Sequence, residues 1–301
     1  MSFTISNENI ELKLETAGEI YRFSRFDWNG LISSIKYKHI EILGQEKPCF
    51  QRNPKKFGRG LHNEFGINTC IGYEDCEVGQ WFPKIGTGWL KKNNKPYNFF
   101  SEYEIDAIEF TFDKISEDKA IFICNSGVRN GYGYKYTKEI ALCENGFTIK
   151  YILQNTGEKT LKTEEYVHNF LCINNNRISK RYSLSFPWQA KTSDWKECVD
   201  PNKIFNFESN TLHFTGKTNK QFFLGDLSEN IKNQQEIEST WKLHYTDASN
   251  NTISISEKGN LKMQTMHLWG WKKVISPEIF YEVEVAPNET ISWERQYTIS
   301  M

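Results

Sequence analysis

The chain of 301 residues is short of several things that would direct a reading elsewhere. Charge of one sign is not in excess: 37 basic and 38 acidic side chains leave a net charge of -1. That balance removes the general electrostatic case for nucleic acid or an anionic membrane surface as partner. No apolar run approaches the length of a bilayer span, and the opening residues MSFTISNENIELKL lack the basic and apolar regions of a signal peptide. The expectation is therefore a cytoplasmic protein whose partner is small. Cysteine is present but unpatterned. The seven residues, at 49, 70, 76, 124, 143, 172 and 198, form no CxxC pair and no zinc-site spacing, so they read as reduced thiols. Repeats and low-complexity tracts are missing, as is the GxSxG elbow of a serine esterase. The GTG at 86–88 is followed by Asn93-Asn94-Lys95-Pro96 and not by a helix signal, which discounts a phosphate-cradling loop.

Helical periodicity is also scarce, with one short polar candidate near 227–234. What fills the chain is period-two alternation. In the stretch 147–173, FTIKYILQNTGEKTLKTEEYVHNFLCI, residues Phe147, Ile149, Tyr151 and Leu153 alternate with Thr148, Lys150, Ile152 and Gln154. Such alternation suits a pleated strand and no helix. Asn155-Thr156-Gly157 supplies a turn. A second strand then places Tyr166, His168, Phe170 and Cys172 on one face and Val167, Leu171 and Ile173 on the other. Further strands are expected at 10–14, 20–28, 31–37, 103–113, 120–124, 132–142, 182–188, 212–215, 221–224, 239–245, 252–256 and 261–268, with a closing hairpin of 279–285 and 291–299. Many short strands punctuated by turns predict one all-β sandwich over residues 1–301, with one sheet face on the core and another open to a ligand. Residues 50–92, rich in glycine, aromatics and charge, read as a long irregular segment that walls a site.

Chemistry concentrates in three places. The first is His168, an imidazole aimed out of a strand face. The second is the closing hairpin, where Ile279, Tyr281, Val283 and Val285 form an apolar face and Glu278, Phe280, Glu282 and Glu284 point the other way. A carboxylate and an imidazole converging from two strands would make a general acid and base pair; the plainer alternatives are a solvated glutamate face and a structural histidine. The third is the irregular segment, with Arg52, Lys55, Lys56, Arg59, His62, Glu64, Trp81 and Phe82. There Arg59 and His62, beside glycines, suit hydrogen bonds to hydroxyl groups. Trp81, Trp269 and Trp271 offer flat surface for a sugar ring, or equally ordinary core.

Three runs, YKYTKEIAL…FTIKYILQNTGEKTLKTEEYVHNFLCI, SPEIFYEVEVAPNETISWERQY and GRGLHNEFGI…GQWFPKIGTGWL, resemble in order the galactose mutarotase-like, aldose 1-epimerase-related proteins. The resemblance implies a large antiparallel β-supersandwich of the galactose mutarotase-like type and interconversion of the α and β anomers of an aldose, with no cofactor or metal. It implies that His168 is the general acid for the ring oxygen and that a C-terminal glutamate, Glu278 or else Glu282, is the base at the C1 hydroxyl. Arg59, His62, Glu64, Trp81, Tyr166, Trp269 and Trp271 are the expected sugar contacts. The sequence departs from the family pattern in three places: His62 precedes Asn63-Glu64 and not glycines, the histidine motif reads HNFL, and Asn288 stands where glycine is common. A non-catalytic carbohydrate-binding sandwich and a hexose-phosphate mutarotase, the latter suggested by Arg52, Lys55, Lys56 and Arg59, stay open beside the aldose enzyme.

Overall fold

The computed structural model describes residues 2–47, 53–192, 198–199, 204–228 and 237–301. Among them the strands form two ten-stranded antiparallel sheets and one three-stranded sheet. The first large sheet runs in the order β1 (Phe3–Ser6), β2 (Ile10–Glu15), β3 (Leu31–Tyr37), β5 (Leu61–Phe65), β13 (Leu161–Asn169), β22 (Val274–Val285), β21 (Thr265–Trp271), β18 (Gln221–Leu224) and β15 (Cys198–Val199), with β4 (Ile40–Glu41) attached to β3. The second runs β16 (Phe205–Glu208), β17 (Thr211–Phe214), β14 (Tyr182–Ser185), β19 (Thr240–Thr246), β20 (Thr252–Gly259), β23 (Thr290–Ser300), β12 (Gly146–Asn155), β11 (Tyr132–Cys143), β10 (Lys119–Arg129) and β9 (Glu109–Ser116). The small sheet is β6 (Trp81–Lys84), β7 (Gly88–Lys91) and β8 (Ile105–Ala107). No helix among the described residues is long and apolar enough to cross a membrane.

The inward residues of both large sheets meet in one core. Phe147, Ile149, Tyr151 and Leu153 of β12 are buried there, as are Val167 of β13 and Ile279, Tyr281, Val283 and Val285 of β22. The alternation in sequence therefore reports the core face correctly. Connectivity is where the expectations fail. β12 and β13 do not pair with each other: β12 lies between β11 and β23, and β13 between β5 and β22. The expected terminal hairpin fails for the same reason, since β22 and β23 belong to different sheets. Each pair of consecutive strands carries its apolar face to the same core, and crossing between sheets buries both faces against one another. The turn at Asn288 adopts φ 64°, a left-handed conformation that asparagine tolerates.

Two further expectations need correction. Residues 20–28 form no strand; their backbone groups bond outward, Arg22 N–H to Lys55 O, Asp27 N–H to Asn63 O and Trp28 N–H to Gly86 O. The Asp27 carboxylate meets Lys138 of β11 at 2.7 Å, both buried, which ties this segment to the second sheet. The segment 50–92, read as irregular, contributes β5, β6 and β7. The helix expected at 227–234 lies almost wholly outside the described residues.

Between the sheets, beneath β13 and β22, lies a buried polar network. Arg295 of β23 bonds Glu165 of β13 at 2.7 Å and also Glu257 of β20, all three fully buried. Asn63 Nδ2 donates to Glu165 at 2.6 Å, and Asn169 Nδ2 donates to Glu257 at 3.1 Å and to the Pro277 carbonyl at 2.7 Å. Removing the one cation leaves two buried carboxylates unpaired, so Arg295→Met is expected to destabilise the fold by about 3–5 kcal/mol. The midpoint of urea unfolding checks this, and an unchanged midpoint would show the network to be dispensable.

Candidate functional site

Because residues alternate along a strand, every side chain of β13 that enters the polar network is followed by one on the opposite face. Glu165 and Asn169 face the core; Tyr166 and His168 face outward, into a cavity of about 690 Å³. Register then lays out a row. His168 pairs with His62 of β5, the β13–β22 register continued from Glu165 opposite Tyr281 puts His168 opposite Glu278, and Glu278 pairs with His267 of β21. Four ionisable side chains thus cross four adjacent strands in line.

At the centre of the row, His168 Nε2 lies 3.4 Å from Glu278 Oε1, with both residues only 4 % exposed. The imidazole stacks on Phe170, centroids 4.0 Å apart, and meets the edge of Trp269 at 5.1 Å. Among the described residues its Nδ1 has no hydrogen-bond partner. Burial, and behind it the charges of Arg25 and His62, holds the His168 pKa well below the usual histidine value. Burial likewise pushes the Glu278 carboxyl up to about 8, against the pull of the Ser276 hydroxyl and of Arg25. In a dry site the neutral pair is favoured over the charged one, so near neutral pH the proton resides on Glu278 and not on His168.

One wall is built on Arg25. Its Nε donates to Glu64 Oε2 at 2.8 Å and its Nη2 to the Tyr166 hydroxyl at 3.0 Å, while Tyr166 also donates to Glu64. The guanidinium is sandwiched among Phe26, Phe99 and Phe100, 4.4 to 4.9 Å from the ring centroids. Phe280, stacked on Tyr166 at 4.3 Å, continues the aromatic lining beside Glu278.

The structure brings together four of the residues singled out in sequence: His168, Glu278, Tyr166 and Trp269 all line the cavity. Glu64 lies behind the wall, where it holds Arg25 and Tyr166. His62 is buried, stacked on Phe26 at 4.7 Å, and serves as packing next to His168. Trp271 sits beyond the lining, under Lys47 at 4.7 Å. Three others are elsewhere. Arg59 is paired with Glu15 of β2, and its neighbour Gly60, at φ 69°, is required because a Cβ there would meet the Ile32 carbonyl oxygen at 2.1 Å. That glycine serves strand packing, not close approach to a ligand. Trp81 belongs to the small sheet, flanked by Lys91 and Arg129. Glu282 is on the Glu278 face but past the cavity, 57 % exposed and 3.4 Å from Lys162, so the solvated-face reading holds for it. Of the basic group, Lys55 is exposed, Lys56 pairs with Glu102, and Arg52 lies outside the described residues.

Sequence reasoning passed over Arg25, Asp226 and His267, all on the cavity. For His267 a signal existed: alternation through Thr265, His267, Trp269 and Trp271 puts the imidazole on the Trp269 face. For Arg25 the signal was weak, since its segment is no strand.

No protein-family model and no curated protein sequence matches the chain. Solved structures do resemble it. A galactose mutarotase-like protein from Lactobacillus casei has 12% identity and a TM-score of 0.59, with 100% of both chains covered. Another from Clostridium acetobutylicum has 14% identity and a TM-score of 0.57, covering 99% of this chain and 95% of that one. The aldose epimerase homologue from C. elegans has 10% identity and a TM-score of 0.51, covering 100% and 98%. The fold is thus the galactose mutarotase-like β-sandwich expected from the sequence.

The buried Glu278 gives a stability test. Its proton is retained on folding at pH values where the unfolded carboxyl has lost it, so the folded state loses stability as pH rises from about 4.5 to about 8. Glu278→Gln is expected to remove that slope and to be more stable than the native chain by up to a few kcal/mol above about pH 8, with little difference near pH 4. Thermal unfolding across pH checks it. Glu282→Gln, on an exposed pair, is expected to shift stability by about 0.5 kcal/mol or less at every pH.

Proposed function

We propose that the cavity binds an aldose and that His168 and Glu278 interconvert its α and β anomers. The observation that carries this reading is the 3.4 Å contact between an imidazole and a carboxyl on the floor of an aromatic-lined cavity. The size of the cavity suits a small ligand, and Trp269, Phe280 and Tyr166 offer ring surface to the C–H faces of a sugar. The chain also shares its fold with proteins described as galactose mutarotase-like and as an aldose epimerase homologue.

Anomer exchange needs one proton removed from the C1 hydroxyl and one delivered to the ring oxygen. These two oxygens share a carbon, so an acid and a base side by side on one sheet face can reach both. With the proton on Glu278, the carboxyl acts as the acid at the ring oxygen and neutral His168 as the base at the C1 hydroxyl. This assignment reverses the roles that the family resemblance implies. The C1–ring oxygen bond breaks, the open-chain aldehyde forms, and His168 and Glu278 become an ion pair. Rotation about C1–C2 presents the other carbonyl face. Closure returns the ring-oxygen proton to Glu278 and the imidazolium proton to the new C1 hydroxyl, restoring both groups. The short distance between them stabilises the charged intermediate state of the pair inside a dry site.

Magnetisation-transfer NMR on a panel of aldoses tests the proposal. His168→Ala is expected to slow exchange by about 10²- to 10⁴-fold with the fold retained. The native rate is expected to be level up to about pH 8 and to fall above it, as Glu278 loses its proton. A rate that instead rises through about pH 8 would make Glu278 the base. Sugar binding without exchange would leave a carbohydrate-binding module, and no enhancement of exchange on any aldose would sink the enzymatic reading.

A further inference from the structure

The fourth member of the row, His267, takes no part in the proton transfers described, yet it is held as a site residue is held. Its Nδ1 accepts the backbone N–H of Asp226 at 2.8 Å. A neutral imidazole whose Nδ1 accepts carries its proton on Nε2, so the other end of the ring is a hydrogen-bond donor. Asp226 reaches this position through a left-handed backbone conformation, φ 54°, and its side chain is fixed by the Thr265 hydroxyl at 2.8 Å. The imidazole packs against Phe280 at 4.7 Å and Phe223 at 5.6 Å, which sets the ring plane. Both His267 and Asp226 line the cavity that holds His168 and Glu278.

We propose that His267 is a specificity-determining residue, whose Nε2–H donates to a hydroxyl oxygen of the bound sugar on a ring carbon near the anomeric centre. The position follows from register. His267 pairs directly across from Glu278, and adjacent strands lie about 4.8 Å apart. A sugar whose anomeric oxygens meet Glu278 therefore presents an oxygen from one or two ring carbons further on to His267. Burial lowers the His267 pKa to about 4, against the pull of Asp226, so the donor keeps one tautomer across the physiological range. The groups that face it are Glu278 across the ladder, Asp226 from the β18 side, and the apolar Phe223 and Phe280. A neutral donor locked in this way discriminates by geometry: a sugar with the hydroxyl absent or inverted covers the half-buried His267 and leaves its N–H unpaired.

The inference rests on the sugar-binding reading of the cavity but not on turnover. The affinity of the native protein, His267→Phe and His267→Gln is measured by ligand-observed NMR titration with a hexose and with its 2-deoxy and 3-deoxy analogues, and anomer exchange is followed separately. His267→Phe keeps a flat ring between Phe223 and Phe280 but loses the donor, and is expected to bind the hexose about 10-fold more weakly. One of the two deoxy analogues, the one lacking the contacted hydroxyl, is expected to bind the native protein and His267→Phe alike. His267→Gln, which restores a donor at about the same reach, is expected to recover much of the affinity. In the native protein, a long-range ¹H–¹⁵N spectrum is expected to show the Nε2–H tautomer from about pH 5 to 8. Equal weakening of all three sugars in His267→Phe, or none, would overturn the proposal, as would failure of the native protein to bind any of them. Binding that follows the expected pattern without anomer exchange would uphold His267 and overturn the catalytic reading instead.

Discussion

The buried ion network between the two sheets is the constraint on which the site depends. Arg295, Glu165 and Glu257 come from three strands, two in one sheet and one in the other, and none of the three is accessible to water. Charges can be buried at this depth only if each finds its partners, and here they do, with Asn63, Asn169, Trp241 and Tyr297 satisfying further lone pairs. A slip of one residue in β13 would turn Glu165 to the cavity and His168 to the core. The network thus specifies register more strictly than apolar packing alone would, because hydrophobic side chains tolerate exchange and buried charges do not.

Both faces of β13 are accordingly polar, for different ends. Beneath, each charge meets an opposite one, and these ion pairs hold the sheets together. Above, His168 and Glu278 face each other with few partners, and burial without pairing shifts their proton affinities past one another, the carboxyl upward and the imidazole downward. Partial satisfaction is unfavourable for a structural group and useful for one that must exchange protons with a ligand. Asn169 joins the two regions: its side chain bonds Glu257 on the core side and the Pro277 carbonyl next to Glu278, and its N–H bonds the Ser276 hydroxyl. Proline cannot donate to the ladder at 277, and these side-chain bonds take over where the regular β13–β22 pairing stops.

Legibility followed the range of the interaction. The strand character of 147–154, the face on which His168 lies and the apolar stripe of 279–285 were open to a period-two reading, because each depends on neighbours a few residues away. The pairing of the strands was not. The turn expected at 155–157 and the closing hairpin expected across 286–289 both turned out to be crossings between sheets. A short turn has the same composition in either case, and only the second sheet decides which is formed. Arg25 escaped notice since its role comes from Glu64 and Tyr166, 39 and 141 residues away. Arg59 and Trp81 were assigned to the site on residue type, and long-range partners placed them elsewhere.

By itself the sequence determined an all-β chain, the core-facing half of its strands, and a histidine and a glutamate on the faces turned away from that core, since alternation and turn chemistry are local properties. Tertiary structure alone decided that His168 meets Glu278 and not Glu282, and that His267 stands next in line. It also set the direction of both proton affinities, up for the carboxyl and down for the imidazole, because proton affinity depends on what surrounds a group after burial, and those surroundings are assembled from separate stretches of the chain.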